Sequence, residues 1–296
     1  MELTVDNIRI LGLGACMLQK PIVTFNEFLH WKIKRSLIKA AYPAVHSFGE
    51  CAQFLHALRG DIEIPPAILP LAGYLSHFKP LPGVGDLHGV DVVLLEPNSP
   101  SDIHYGDHIL NRTAICLHLI DPIREANPGT EVAKMTNLWL NKGLLGEDEA
   151  TQVRLAEELI KLAPESLPDA EVMFDVLLRA RARRREVLEG LASVASMIDR
   201  PLGVVTYTFQ YLADGQAVSW PPGFREEVLS AAQALGLPVF EPSSLVREHG
   251  VETALAPDLR HYADDFLPTV GRAISEFAVT VAREASGGGE LAAACS

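Results

Sequence analysis

The stretch Ile8-Arg9-Ile10-Leu11-Gly12-Leu13-Gly14-Ala15-Cys16 constrains this chain more than any other. A β-type apolar run over 8–13 ends in a Gly-x-Gly turn, and Met17-Leu18-Gln19 opens a helix. A strand–turn–helix junction of this kind lifts one side chain onto the top edge of a parallel sheet. It also aims free backbone N–H groups at whatever sits there. Cys16 holds that position and reads as a candidate nucleophile. The plainer reading is a small buried apolar residue, since free cysteines are among the most buried types.

The same alternation of strand and helix continues along the chain. Residues 25–41 show helical spacing and stop at Tyr42-Pro43; 44–48 read as a second strand turning at Gly49, and 51–58 as a helix. Residues 61–89 carry Pro65, Pro66, Pro70, Pro80 and Pro82 and read as a structured loop or lid. Residues 89–95 form the clearest strand and run into a polar turn over 96–102. A helix is expected over 107–126, a strand over 130–137, and helices over 148–163 and 169–197. A strand follows over 201–209, a helix over 224–235 closed by Gly236, a strand over 237–240 and a last helix over 267–284. This pattern implies a parallel sheet covered on both faces: a three-layer α/β/α, flavodoxin-like fold with a helical insertion at about 141–197. Residues 1–285 are expected to form one domain and 286–296 a flexible tail. Ligands of such sheets sit beyond the carboxyl ends of the strands, where Gly14-Ala15-Cys16 and Pro97-Asn98 both fall.

With 296 residues and 48% hydrophobic content, the chain can bury one large core or at most two. A net charge of -13 argues against a nucleic-acid partner. No basic leader and no run of about 18 apolar residues is visible, so neither a signal peptide nor a membrane span is expected. Cys16, Cys51, Cys116 and Cys295 make no C-x-x-C pair, which suits reduced thiols in a cytoplasmic protein.

Three local features stand in order: Gly14-Ala15-Cys16 after the first strand, Glu96-Pro97-Asn98 after the strong middle strand, and Asp258-Leu259-Arg260-His261 before the last helix. The set resembles the SGNH/GDSL hydrolase superfamily along nearly the whole chain. That family places a nucleophile in a G-D-S turn after strand one, an oxyanion Asn in G-x-N-D after a middle strand, and its base in a late D-x-x-H. The resemblance implies Cys16 as nucleophile, His261 as base and Asp258 as the residue orienting it. It also implies an oxyanion site at Gly14 and Asn98, with Gly49 as a further donor. Here G-D-S has become Gly14-Ala15-Cys16, and G-x-N-D has become Glu96-Pro97-Asn98-Ser99. A Cys in this turn is similar to the branch associated with capsule-polysaccharide acetyl transfer, whose turn reads G-N-C. That implies acyl transfer from a small-molecule donor, such as coenzyme A or a carrier-bound acyl thioester, to a small-molecule acceptor, or to water in an esterase or thioesterase. No required cofactor, metal or membrane partner is expected, and the helical insertion is compatible with a homo-oligomer.

The residues support this chemistry in their own right. A thiol attacks as thiolate, a histidine can take and return its proton, and an aspartate can hold the imidazole in one tautomer. Two other classes stay open: a non-catalytic binding or assembly protein on the same scaffold, and a redox or sulfur-carrier thiol. Gly12-Leu13-Gly14 does not complete a dinucleotide fingerprint, because Met17 stands where the third glycine belongs. His104 and His108, with Asp107 beside them, read as a solvated helix start rather than a metal pair. Arg179, Arg181, Arg183, Arg184 and Arg185 read as a solvated helix face, with a phosphate-bearing donor as the alternative.

Overall fold

The short apolar runs form strands because their side chains meet a packed layer on either side. The computed structural model describes residues 3–25, 45–74, 78–80, 87–144, 149–208 and 210–293. In chain order, strand β1 (Ile10–Leu13) leads into helix α1 (Cys16–Phe25), followed by α2 (Phe48–Arg59) and β2 (Val92–Leu95). A hairpin of β3 (Ser101–Tyr105) and β4 (His108–Leu110) precedes the short helix α3 (Arg112–Ile115), which continues through a π-helical turn into Asp121–Ala126. Then come α4 (Thr130–Leu138), α5 (Glu149–Lys161), α6 (Ala170–Arg179), β5 (Arg181–Arg184) and α7 (Val187–Ser196). The chain closes with β6 (Leu202–Val205), the small hairpin β7 (Gln210–Tyr211) and β8 (Ala217–Val218), α8 (Phe224–Ala234), β9 (Val239–Phe240) and α9 (Leu267–Ala293).

Strands β1, β2, β6 and β9 form one parallel sheet in that spatial order. Side chains alternate across it with the strand period of two. Ile10, Val92, Leu94 and Val205 face one core, with Leu18 and Ile22 of α1 and Val270 and Ile274 of α9. Leu11, Leu13, Val93, Leu95 and Val204 face the other, with Phe48 and Phe54 of α2, Leu191 of α7 and Val228 of α8. The architecture is three-layer α/β. Arg9, the one charge in the opening run, pins the register of the first two strands. Its backbone N–H and its guanidinium both donate to Asp91, at 2.8, 3.0 and 2.6 Å. Among the described residues no helix is long and apolar enough to cross a membrane.

Several expectations need correction. Residues 45–47 do not pair as a second strand; Val45 N–H donates to Gly14 O (3.2 Å) as the chain passes the end of β1. Ser47 instead caps α2, accepting from Glu50 N, while the Glu50 carboxyl turns back to accept from His46 N (3.0 Å). This is a variant of the reciprocal capping box. The helix expected over 25–41 falls, beyond Phe25, outside the described residues. His104 and His108 lie on neighbouring antiparallel strands, not on one helix face. Residues 130–137, expected as a strand, form α4; Thr136 Oγ1 bonds back to Val132 O (2.9 Å), as a helical threonine can.

The arginine run is a strand, not a helix face. Helix α6 stops at Arg179 because its last carbonyls are captured from outside: Trp139 Nε1 donates to Leu177 O (3.1 Å) and Gln152 Nε2 to Ala180 O (2.6 Å). Strand β5 then pairs antiparallel with β3, Ser101 opposite Arg184 and His104 opposite Arg181. Four of the five guanidinium groups have carboxylate partners. Arg179 meets Asp175 (2.8 Å), Arg181 meets Glu149 (3.2 Å), Arg184 meets Glu227 (2.6 Å) and Arg185 meets buried Asp102 (2.7 Å).

Two changes test this packing. A Cβ on Gly271 of α9 would stand 2.2 Å from Pro21 O and 2.5 Å from Phe25 Cβ in α1. Gly271→Ala is therefore expected to cost about 1–3 kcal/mol, read as a lower urea midpoint. Arg185→Leu leaves the Asp102 carboxylate buried with only the Gly49 N–H (2.9 Å) as partner. It is expected to cost about 2 kcal/mol, where Arg183→Leu costs little.

Candidate active site

The site is assembled where β1, β2 and β6 end. Cys16 is the first residue of α1 and is exposed. The turn before it is shaped by a carboxyl from the next strand. Glu96 follows β2 directly, is 1% exposed, and its Oε2 accepts the Ala15 N–H at 2.9 Å. A Cβ on Gly14 would lie 2.6 Å from Glu96 Cβ, so only glycine lets the two strand ends approach this closely. Gly14 O is also used, accepting from Gln19 Nε2 (3.0 Å).

Burial pushes the Glu96 carboxyl up to about 8, although the Ala15 and Leu18 N–H groups oppose this. The Cys16 thiol is also raised, first by burial of its surroundings and then by Glu96. The N–H groups of Cys16 and Met17 and the Lys20 charge pull the other way without winning. The free thiol is therefore protonated at neutral pH.

Asp258 and His261 form a pair. Asp258 Oδ2 lies 2.6 Å from His261 Nδ1, and Asp258 Oδ1 accepts the N–H groups of Arg260 (2.9 Å) and His261 (3.1 Å). The His261 ring and these N–H groups hold the Asp258 carboxyl well below the usual carboxylate range. The turn carries Leu259 at φ 55° and is braced by Tyr211 N–H on Leu259 O (2.9 Å) and Ala256 N–H on His261 O (2.8 Å). With Nδ1 committed to Asp258, Nε2 is the nitrogen free to exchange a proton.

Lys20 of α1, four residues beyond Cys16, bonds through Nζ to Asp264 Oδ1 (3.0 Å), three residues beyond His261, so this loop lies against the helix that begins at Cys16. Tyr262, next to His261, is fully buried, and Cys16 and Glu96 add to burial in raising its phenol. Tyr207, just past the end of β6, is pushed up to about 12 by burial, then by Glu96 and Cys16, with Arg260 opposing. Among the described residues no hydrogen bond joins Cys16 to His261.

Asn98, two residues beyond Glu96, is half-buried. Its N–H donates to His46 O (3.0 Å) and its Oδ1 lies 3.0 Å from His46 Nδ1. Among the described residues its Nδ2 has no partner. Gly49 is not a donor to the site. It lies inside the first turn of α2, where its N–H donates to Asp102 Oδ1 (2.9 Å) and a Cβ would collide with that carboxyl at 2.5 Å.

Sequence reasoning singled out Cys16, Asn98, Asp258 and His261 but missed the parts played by Glu96, His46 and Tyr207. A charged residue directly after a wholly apolar strand was the available signal for Glu96. Nothing local marked Tyr207, which is brought in by sheet order alone.

Glu96→Gln keeps an acceptor for the Ala15 N–H and removes the charge. The pH profile of Cys16 alkylation by iodoacetamide is expected to move to lower pH in this variant, because the thiolate loses a negative neighbour. An unmoved profile would show that Glu96 does not act on the thiol.

Neither the curated proteins nor the solved structures contain a match to this chain. A family model described as the TviD N-terminal domain matches residues 8–277, a span that takes in Cys16, Glu96, Asn98, Asp258 and His261. The chain belongs to the TviD N-terminal domain family.

Proposed function

We propose that this chain is an acyl-transfer enzyme that works through a thioester on Cys16. The family match supports an acyltransferase-like role of the kind carried out on polysaccharide. Two observations support the mechanism: an exposed thiol at the first turn of α1, and a formed Asp258–His261 pair three residues before Asp264, to which Lys20 of the same helix is tied.

In the proposed reaction His261 Nε2 takes the Cys16 proton as Sγ attacks the donor's acyl carbon. A carbon–sulfur bond forms, and the carbonyl π electrons move to oxygen. The Cys16 N–H and Asn98 Nδ2 face that oxyanion, and losing one such donor costs about 3–4 kcal/mol of barrier in comparable sites. Collapse breaks the bond to the leaving group, which takes the proton from His261. An acceptor hydroxyl then gives its proton to His261 and attacks the thioester. Cys16 leaves as thiolate and is reprotonated. Asp258 holds the imidazole tautomer throughout and stabilises the imidazolium. A coenzyme A or carrier-bound thioester as donor and a sugar hydroxyl as acceptor suit this chemistry; water as acceptor would make it a hydrolase. Four of the five arginines of the run already meet carboxylates, which leaves less of their charge for a phosphate-bearing donor.

The second reading is a non-catalytic binding protein on the same scaffold. The raised Cys16 thiol and the missing Cys16–His261 hydrogen bond favour it.

Intact-protein mass spectrometry after incubation with activated esters and acyl-coenzyme A separates the two. The acyl-transfer reading expects an acyl adduct on Cys16, none in Cys16→Ala, and formation slowed at least ~100-fold in His261→Ala. No adduct on the wild-type protein, together with a Cys16 that resists alkylation, would establish the binding reading instead.

A further inference from the structure

His46 entered the sequence only as part of an expected strand, yet it stands at the centre of a polar network behind Asn98. Its carbonyl accepts the N–H groups of Asn98 (3.0 Å) and Ser99 (2.9 Å), so the backbone after β2 is anchored to it. Its Nδ1 meets Asn98 Oδ1 at 3.0 Å, and its Nε2 meets Thr113 Oγ1 at 3.0 Å. An amide oxygen can only accept, so Nδ1 carries the proton. The Nε2 of the neutral ring then accepts from the Thr113 hydroxyl. Burial lowers the ring's pKa, and Arg112 adds to this against the Asn98 bond, so the neutral form prevails.

The ring is itself held in place. The backbone N–H of His46 donates to the buried Glu50 carboxyl (3.0 Å), which also accepts from Asn111 Nδ2 (2.7 Å). Asn111 in turn caps α3, accepting the Ala114 N–H (2.9 Å), and α3 carries Thr113. Both neighbours of His46 are thus tied to one frame.

The consequence falls on Asn98. A free amide can turn over and present either its oxygen or its nitrogen to a ligand. With Oδ1 locked onto a proton-bearing Nδ1, only Nδ2 can face outward. We propose that His46 is a positioning residue that keeps the Asn98 amide nitrogen aimed at the oxyanion. This rests on the acyl-transfer reading above.

The test compares two reactions of the same thiol. Acylation of Cys16 by p-nitrophenyl acetate passes through an oxyanion; alkylation by iodoacetamide does not. His46→Ala is expected to slow acylation by about 10- to 100-fold, no more than the loss of a whole oxyanion donor, and to leave alkylation unchanged. His46→Asn, whose amide keeps a donor near the Nδ1 position, should recover most of the rate. In an Asn98→Ala background His46→Ala should cost nothing further, because its effect runs through that amide.

A thermal midpoint measured on each variant shows which have folded. Full acylation in His46→Ala, an equal loss in both reactions, or an additive double variant would overturn the proposal. If His46→Ala does not fold, His46→Leu, which fills the space without a donor, and His46→Asn decide by the same comparison. An acyl adduct missing from wild type would overturn the acyl-transfer reading and this inference with it. An adduct that forms equally fast with and without His46 would overturn this inference alone.

Discussion

A carboxyl buried under a helix terminus organises the working edge of this molecule. Glu96 joins three elements at one point: its N–H continues the pairing of β2 with β1 through Leu13 O (2.8 Å), and its side chain holds the Ala15 N–H in front of α1. Two forces act on that carboxyl in opposite senses. The helix terminus favours negative charge, and burial favours the proton. Burial prevails, so the group is mostly neutral at pH 7 and still accepts a hydrogen bond. The thiol two residues from Gly14 inherits the result: its neighbour carries little charge at neutral pH and more as the pH rises.

Around this point the two cores divide the work. The one shared by α1 and α9 fixes the helix that carries Cys16, through contacts so close that Gly271 admits no side chain against Pro21. The other, beneath α2, α7 and α8, sets the ends of β2 and β6 from which Asn98 and Tyr207 emerge. Cys16 and Asn98 both follow strands at the carboxyl edge of the sheet, one just after β1 and the other just after β2.

The sequence made β1, β2 and β6 readable because a strand buried on both faces must be apolar throughout, while β9 at the edge is half-buried and was marked by its Val-Phe pair after Pro238. Asp258 and His261 were readable for a different reason: an i, i+3 pair in a turn is a local object. The misread segments were decided by distant partners. Ser47 and Glu50 carried a visible S-x-x-E helix start, but the β-type residues before them suggested a strand. The end of α6 depended on Trp139 and Gln152, and the arginine strand on the open edge of the β3–β4 hairpin, none of them nearby in sequence. His46 looked like an ordinary strand residue. Its place beside Asn98 is a matter of which loops the sheet edge brings together, which no spacing encodes.

The pairing of β3 with β5 has an architectural meaning. Ser101 and Arg184 stand opposite one another, and the Asp102–Arg185 ion pair closes the same end. The chain from 101 to 184 thus leaves and returns at one place, like a handle whose two roots are clasped together. The length of a connection between fixed roots has only a weak effect on closure entropy. Helices held on such a handle can drift in sequence, lengthen or acquire new surface chemistry while β2 still runs into Glu96 and Asn98 at the same spot. The sheet edge that carries Glu96 and Asn98 is thereby kept apart from the region that can vary around it.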